Sequence, residues 1–230
     1  MRPSHKGMRR VYTFRFADVF RYSDLLIAGA ARSVGVTALT AVLGLCLGTA
    51  CALSLIYGPR RLRPVVNGYV ELFRNTPFIV QLFFIFFGLA SSGFRMTAWT
   101  AAISALTVNF GAYTTEIMRA GILSVPRGQI ESAAALGLGP WHTFSSVIAF
   151  QAVRNVYASI SSYVVLLFLG TSIISQISAQ ELFYSASFIE SRTFRNFETY
   201  LVMSGIYLGI VILFRLLSAL GWRLFFARRG

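Results

Sequence analysis

Uncharged runs and polar breaks alternate along the chain. Ser33–Pro59, Asn75–Phe94, Met96–Thr115 and Asn155–Gln180 contain no Asp, Glu, Lys or Arg. A fifth run, Thr199–Phe214, resumes after Arg215 as Leu216–Trp222. About 20 apolar residues cross a bilayer as a helix, so the pattern predicts five transmembrane helices, at about 33–58, 65–92, 96–120, 155–178 and 199–222. The stretch 121–154, GILSVPRGQIESAAALGLGPWHTFSSVIAFQAVR, combines Glu, Arg, Gln, Ser and Pro between two such runs and is expected in water. Residues 1–24 interleave basic residues with Phe14, Phe16, Val19, Phe20 and Tyr22, which reads as an amphipathic arm lying on a surface. A signal peptide is the alternative, because Leu25–Ala31 is apolar, but that core is short and follows two Asp. Residues 25–230 then form one transmembrane domain.

Composition supports this class. The chain has 230 residues, is 56% hydrophobic and 13% charged, and has a mean hydropathy of +0.65. Soluble domains carry about 25% charged residues, which argues against a soluble protein. A net charge of +13 would point to nucleic acid in a soluble chain; between apolar runs it points to anionic lipid and control of topology. Arg60, Arg61 and Arg63 place their loop in the cytoplasm by the positive-inside rule, and the polar stretch and C-terminus follow, with Trp222, Arg223, Arg228 and Arg229 as an anchor. Five spans then put the N-terminus outside, against the preference of its basic tail.

Few residues are suited to catalysis. There is no Gly-rich phosphate loop ending in Lys-Ser/Thr, His5 and His142 are too few for a histidine metal site, and Cys46 and Cys51 lack metal-site spacing. No cofactor, metal or catalytic residue is expected. Polar residues inside the runs matter more. Gln81 must face protein or a cavity, and Asn109 lies too deep to reach an interface, so it bonds another helix or a substrate. Glu71 with Arg74, and Glu116 with Arg119, stand three apart and can pair, although the second pair can equally snorkel at a helix end. Gly44 and Gly48 either admit a close helix neighbour or are merely tolerated in lipid. The hydroxyl-rich fourth run, with Thr171 and Ser172, turns toward protein or water.

Two stretches resemble a known family. Glu71-Leu-Phe-Arg74-Asn75-Thr76-Pro77-Phe78-Ile79-Val80-Gln81, continuing to Leu89, is similar to the segment opening the second helix of ABC importer permeases for polar amino acids, the histidine, arginine, glutamine and opine type. Glu116–Ile122, Pro126–Gln129, Glu131–Gly137 and Gln151–Asn155 resemble that family's cytoplasmic coupling loop, the EAA loop. The resemblance covers roughly residues 26–226. It implies an all-α, MetI-like type I importer fold and a non-catalytic subunit forming half of a translocation pathway. It also implies two cytoplasmic ATPase subunits, a second identical or homologous permease and a periplasmic solute-binding protein, all at a bacterial inner membrane. Carried over by motif, Glu131, Ala133, Ala135 and Gly137 contact the ATPase. Asn109, Tyr113, Thr171 and Ser172 are pathway candidates, with interhelix packing as the alternative. The chain departs from the family at Phe150, where Pro is usual, and at Leu169-Gly170, where a Lys-Asp pair often precedes Thr-Ser. That leaves the substrate's charge and this subunit's share of the binding site open. A secondary, ion-coupled amino-acid transporter is the rival reading; it would need intramembrane ionisable groups that are not evident.

Overall fold

The structure is a computed structural model that describes residues 13–226. The first half of the basic arm, and Arg228 and Arg229 of the C-terminal anchor, lie outside the described residues. Every regular element among the described residues is helical. In chain order they are α1 (Phe16–Phe20), α2 (Ser23–Tyr57), α3 (Arg63–Arg74), α4 (Phe78–Phe83), α5 (Leu89–Ser91), α6 (Ala98–Leu123), α7 (Arg127–Ala135), α8 (Pro140–Thr143), α9 (Ala149–Gly170), α10 (Leu182–Thr193) and α11 (Asn196–Phe225). π-helical turns at Phe84–Gly88 and Phe144–Ile148 join α4 to α5 and α8 to α9, and a 3-10 segment, Thr171–Ile177, extends α9.

Three helical stretches are long and apolar enough to cross a membrane: Ser23–Tyr57, Pro140–Ile177 and Asn196–Phe225. A fourth is added if Arg60–Arg74 and Phe78–Ser91, bent by 110° at their junction, form one broken span. The remaining helix of the expected five, α6, has 26 residues and so is about 39 Å long, sufficient for a bilayer. It falls short on apolarity because Asn, Thr, Gly and Glu interrupt it. Those residues are tolerated because α6 is central: Ala101, Ala102, Ala105, Phe110, Ala112, Thr114 and Thr115 are fully buried. A helix surrounded by protein does not need the uniform apolarity that lipid contact demands.

Helix starts differ from the uncharged runs for identifiable reasons. The first span begins at Ser23 rather than near residue 33, because Arg32 does not end it: its guanidinium donates to the Gln180 carbonyl at 3.0 Å. The second is not the continuous helix 65–92. Pro77 has no N–H to donate and restricts Thr76, so the chain turns sharply there. The fourth starts at Pro140, well before 155, since Gly139 is extended and Pro140 fits a first helical turn. The loop 181–198 contains α10. Glu181 caps it, accepting from Phe183 N and Tyr184 N at 2.8 Å each, and also accepts from Ser33 Oγ and Tyr207 Oη at 3.2 Å. Burial pushes this carboxyl above its ordinary pKa, and the four donors partly oppose that shift.

The tightest packing joins α2 to α6. Gly44 and Gly48 let the backbones meet: Thr114 Oγ1 donates to Gly44 O at 3.1 Å, and a Cβ on Gly48 would lie 2.8 Å from Gly111 O. Close approach, rather than tolerance, accounts for these glycines. The arm packs at the far end of the bundle. Val19 is fully buried with Leu26, Leu182, Ile189 and Met203. Arg15 N donates to Glu198 Oε1 at 2.9 Å, and Arg195 pairs with Asp18 at 3.6 Å.

Candidate functional site

The polar stretch folds into α7, a turn, and α8 leading into α9. Ile130 packs with Ile122, Val125, Ile148, Ala152 and Phe144, which holds α7 against the ends of α6 and α9. Gln151 Nε2 donates to Gln129 Oε1, and Asn155 Nδ2 to Ser124 Oγ at 2.8 Å, which fixes the entry and exit of the segment. At its end, Gly137 takes φ +76°. Gly137 N donates to Ala134 O at 2.9 Å and Leu138 N to Ala133 O at 3.0 Å. These two bonds form a Schellman motif, whose left-handed residue is normally Gly.

Of the four residues taken from the coupling motif, Ala133 is buried against the chain's own body. Glu131, Ala135 and Gly137 are exposed, and a Cβ on Gly137 would meet nothing within 4 Å. Leu136, 80% exposed, and Trp141, 72% exposed, stand beside them. Large apolar side chains so exposed on a polar segment mark a contact surface. The sequence signal for them was apolar residues inside a polar stretch, which motif matching passed over. A cavity of about 740 Å³ lies behind this surface, between Leu53, Tyr57, Ala134, Leu138, Trp141 and Phe144.

The second cluster surrounds the break between α3 and α4. A helix that ends inside a membrane leaves carbonyls that need donors. Gln81, buried, supplies one: its Nε2 lies 2.9 Å from Phe73 O, 3.0 Å from Thr76 O and 2.8 Å from Thr76 Oγ1. Asn109 Nδ2 donates to Gln81 Oε1 at 3.0 Å and reaches Phe73 O at 3.4 Å. Tyr113 Oη donates to Arg74 O at 3.3 Å, and its ring lies 4.6 Å from that of Tyr163. The Arg74 guanidinium sits over the Tyr113 ring at 5.5 Å instead of pairing with Glu71. Glu116 and Arg119 do pair, at 2.7 Å. Asn109 and Tyr113 therefore converge on the end of α3. Thr171 and Ser172 do not join them by any bond; each hydroxyl donates to its own helix, to Phe168 O at 2.7 Å and Leu169 O at 2.8 Å.

Asn109→Ala removes the donor to Gln81 Oε1 in a buried site. An unsatisfied buried acceptor costs about 1–3 kcal/mol, so the variant's melting midpoint in detergent should fall. An unchanged midpoint with altered transport would instead assign Asn109 to substrate contact.

The profile of the family described as binding-protein-dependent transport system inner membrane component matches residues 44–225. The octopine transport system permease protein OccM of Rhizobium radiobacter is 37% identical over 172 residues, 70% of each chain. The L-cystine transport system permease protein TcyB of Bacillus subtilis is 36% identical over 168 residues, 73% of this chain and 72% of its own. The nopaline transport system permease protein NocM of Agrobacterium fabrum is 32% identical over 209 residues, 86% of each. Among solved structures, an amino acid ABC transporter crystallised with histidines superposes with a TM-score of 0.86 at 33% identity, over 92% of this chain and 99% of that one. An inward-facing MetNI methionine ABC transporter shares the fold, with a TM-score of 0.71 at 23% identity, over 88% of this chain and 95% of that one. The chain is thus a multi-pass membrane protein of MetI-like fold, and it belongs to the family of binding-protein-dependent transport system inner membrane components.

Proposed function

We propose that this chain is the permease subunit of an ATP-driven importer of polar amino acids or amino-acid derivatives such as opines. The observation that carries the reading is α7: a short helix closed by a left-handed glycine, with small and apolar residues turned outward at one end of a membrane bundle. Such a surface fits a cleft on a cytoplasmic ATPase, with Glu131 beside the contact. The relatives' names, octopine, nopaline and L-cystine permeases, support the substrate class. The chain forms half of the pathway with an identical or homologous permease, and a binding protein delivers the solute from outside. ATP-dependent docking at α7 then favours one of two arrangements of the paired permeases, because a bound partner shifts an equilibrium only as far as it prefers one state.

Reconstitution with co-expressed ATPase, second permease and binding protein tests this. Uptake of labelled octopine, nopaline, cystine or glutamine should require ATP and the binding protein. Uptake driven by an ion gradient without ATP would overturn the reading.

The same proposal places α7 in the cytoplasm and the arm outside. The support is geometric. The start of α2 packs at Leu182 and Ser185, while Tyr57 at its other end meets the Phe144 ring, so arm and α7 occupy opposite ends of a helix about 52 Å long. The arm's bonds to Glu198 and Arg195 hold it there, where the charge rule alone would have kept the tail inside. In spheroplasts, Thr13→Cys should react with a membrane-impermeant maleimide, and Leu136→Cys only after permeabilisation. The reverse pattern would invert the topology.

A further inference from the structure

We propose that the groove between α9 and α11 is a binding site for the headgroup of an anionic phospholipid. The groove encloses about 440 Å³ and is lined by Arg215, Arg223, Ser161, Ser162, Tyr157 and Trp222, among others. It lies along the C-terminal half of α11 and the middle of α9. Gly221 sets the crossing: a Cβ there would lie 2.5 Å from Tyr157 Oη, and Tyr157 Oη donates to Ser218 O at 2.8 Å.

Arg215 is the residue that needs explanation. It interrupts an apolar run, and an arginine within a span is costly unless something neutralises it. The chain has eight acidic residues, all described: Asp18, Asp24, Glu71, Glu116, Glu131, Glu181, Glu190 and Glu198. Only Glu198 stands on α9 or α11. It is buried at the far end, about 26 Å along the helix from Arg215. Neither Arg215 nor Arg223 has an ion pair among the described residues. Two guanidiniums, about 12 Å apart along α11, therefore face one cavity with serine hydroxyls and no carboxylate.

Charge and setting choose the occupant. Basic pockets between membrane helices near the inner face suit phosphate-bearing headgroups, and Trp and Tyr favour the same depth. From Arg215 toward the bilayer midplane, α11 exposes Leu208 and Ile212, which suit acyl chains and would offer nothing to a free phosphate ion. Arg215 would then hold the phosphate at the inner leaflet, and Arg223 would sit at the headgroup's outer edge.

The inference rests on these helices spanning a bilayer and not on the importer reading, so the test uses the full-length purified chain without ATPase. Native mass spectrometry would compare phosphatidylglycerol with phosphatidylcholine of matched chains. The wild type should retain phosphatidylglycerol preferentially. Arg215→Gln and Arg223→Gln should each reduce that preference about fivefold, Arg215→Lys should keep most of it, and Arg60→Gln should leave it unchanged. Equal retention of the two lipids by the wild type, or an unaltered preference in both Gln variants, would overturn the proposal. So would loss of a dimer mass, rather than of lipid, in Arg215→Gln, since the groove would then be an interface with a second copy. Absence of ATP-driven uptake in the reconstituted wild type, with its lipid preference intact, would count against the importer reading alone.

Discussion

Gly137→Val should leave the protein folded and release the ATPase proposed to dock at α7. The backbone at Gly137 is left-handed, with φ +76°, and an L side chain in that region costs about 1–2 kcal/mol. A net folding stability of about 5–15 kcal/mol absorbs that. No atom of the chain lies within 4 Å of the added Cβ, so there is no internal clash. The remaining consequence falls on whatever docks there. At a close contact, a misplaced bulky group costs about 2 kcal/mol or more, roughly thirtyfold in affinity. Co-purification followed by mass spectrometry should show ATPase with the wild type and little with Gly137→Val, at unchanged elution of the permease. Gly139→Val serves as a control of similar exposure outside the left-handed position. Equal recovery of ATPase from all three would remove the proposed role of the α7 terminus.

Gly48→Val should have the opposite profile, damaging the fold itself. Its Cβ would stand 2.8 Å from the carbonyl oxygen of Gly111 and too close to the Thr114 hydroxyl. A backbone oxygen cannot swing aside as a side chain does. The helices cannot easily part either, because Gly44 is also pressed against Phe110 and Thr114 Oγ1 donates to Gly44 O. Overpacking of this kind costs about 1–3 kcal/mol, occasionally more. The melting midpoint in detergent should fall by roughly 5 °C or more. Gly209→Val, where a Cβ meets nothing within 4 Å, should melt like the wild type. Matching midpoints for the two variants would show that α2 and α6 are not held by this contact.

The sequence was most legible where a single property dominates. Long uncharged runs marked the membrane helices, and polarity marked the segment that contains α7. It was least legible where a long-range partner cancels a local signal. Arg32 looked like a boundary until the Gln180 carbonyl received it. Glu71 and Arg74 had the right spacing to pair, yet Arg74 lies over Tyr113. Glu181 gives little local signal, because a Glu is a weak capping residue. Its role depends on Ser33, 148 positions away, and on Tyr207.

The sequence alone determined that the chain lives in a membrane and which family's motifs it carries. Each follows from local composition or a contiguous pattern, which partitioning between water and lipid reads directly. Tertiary structure decided the rest. It bent the second span by 110° at Pro77, because Gln81 and Asn109 could satisfy the carbonyls the break exposes. It turned Ala133 inward and Gly137 outward on one short helix. It also fastened the arm through Val19 and Glu198 at the end opposite α7. These outcomes depend on which buried polar groups find partners across the fold, and a linear pattern does not carry that information.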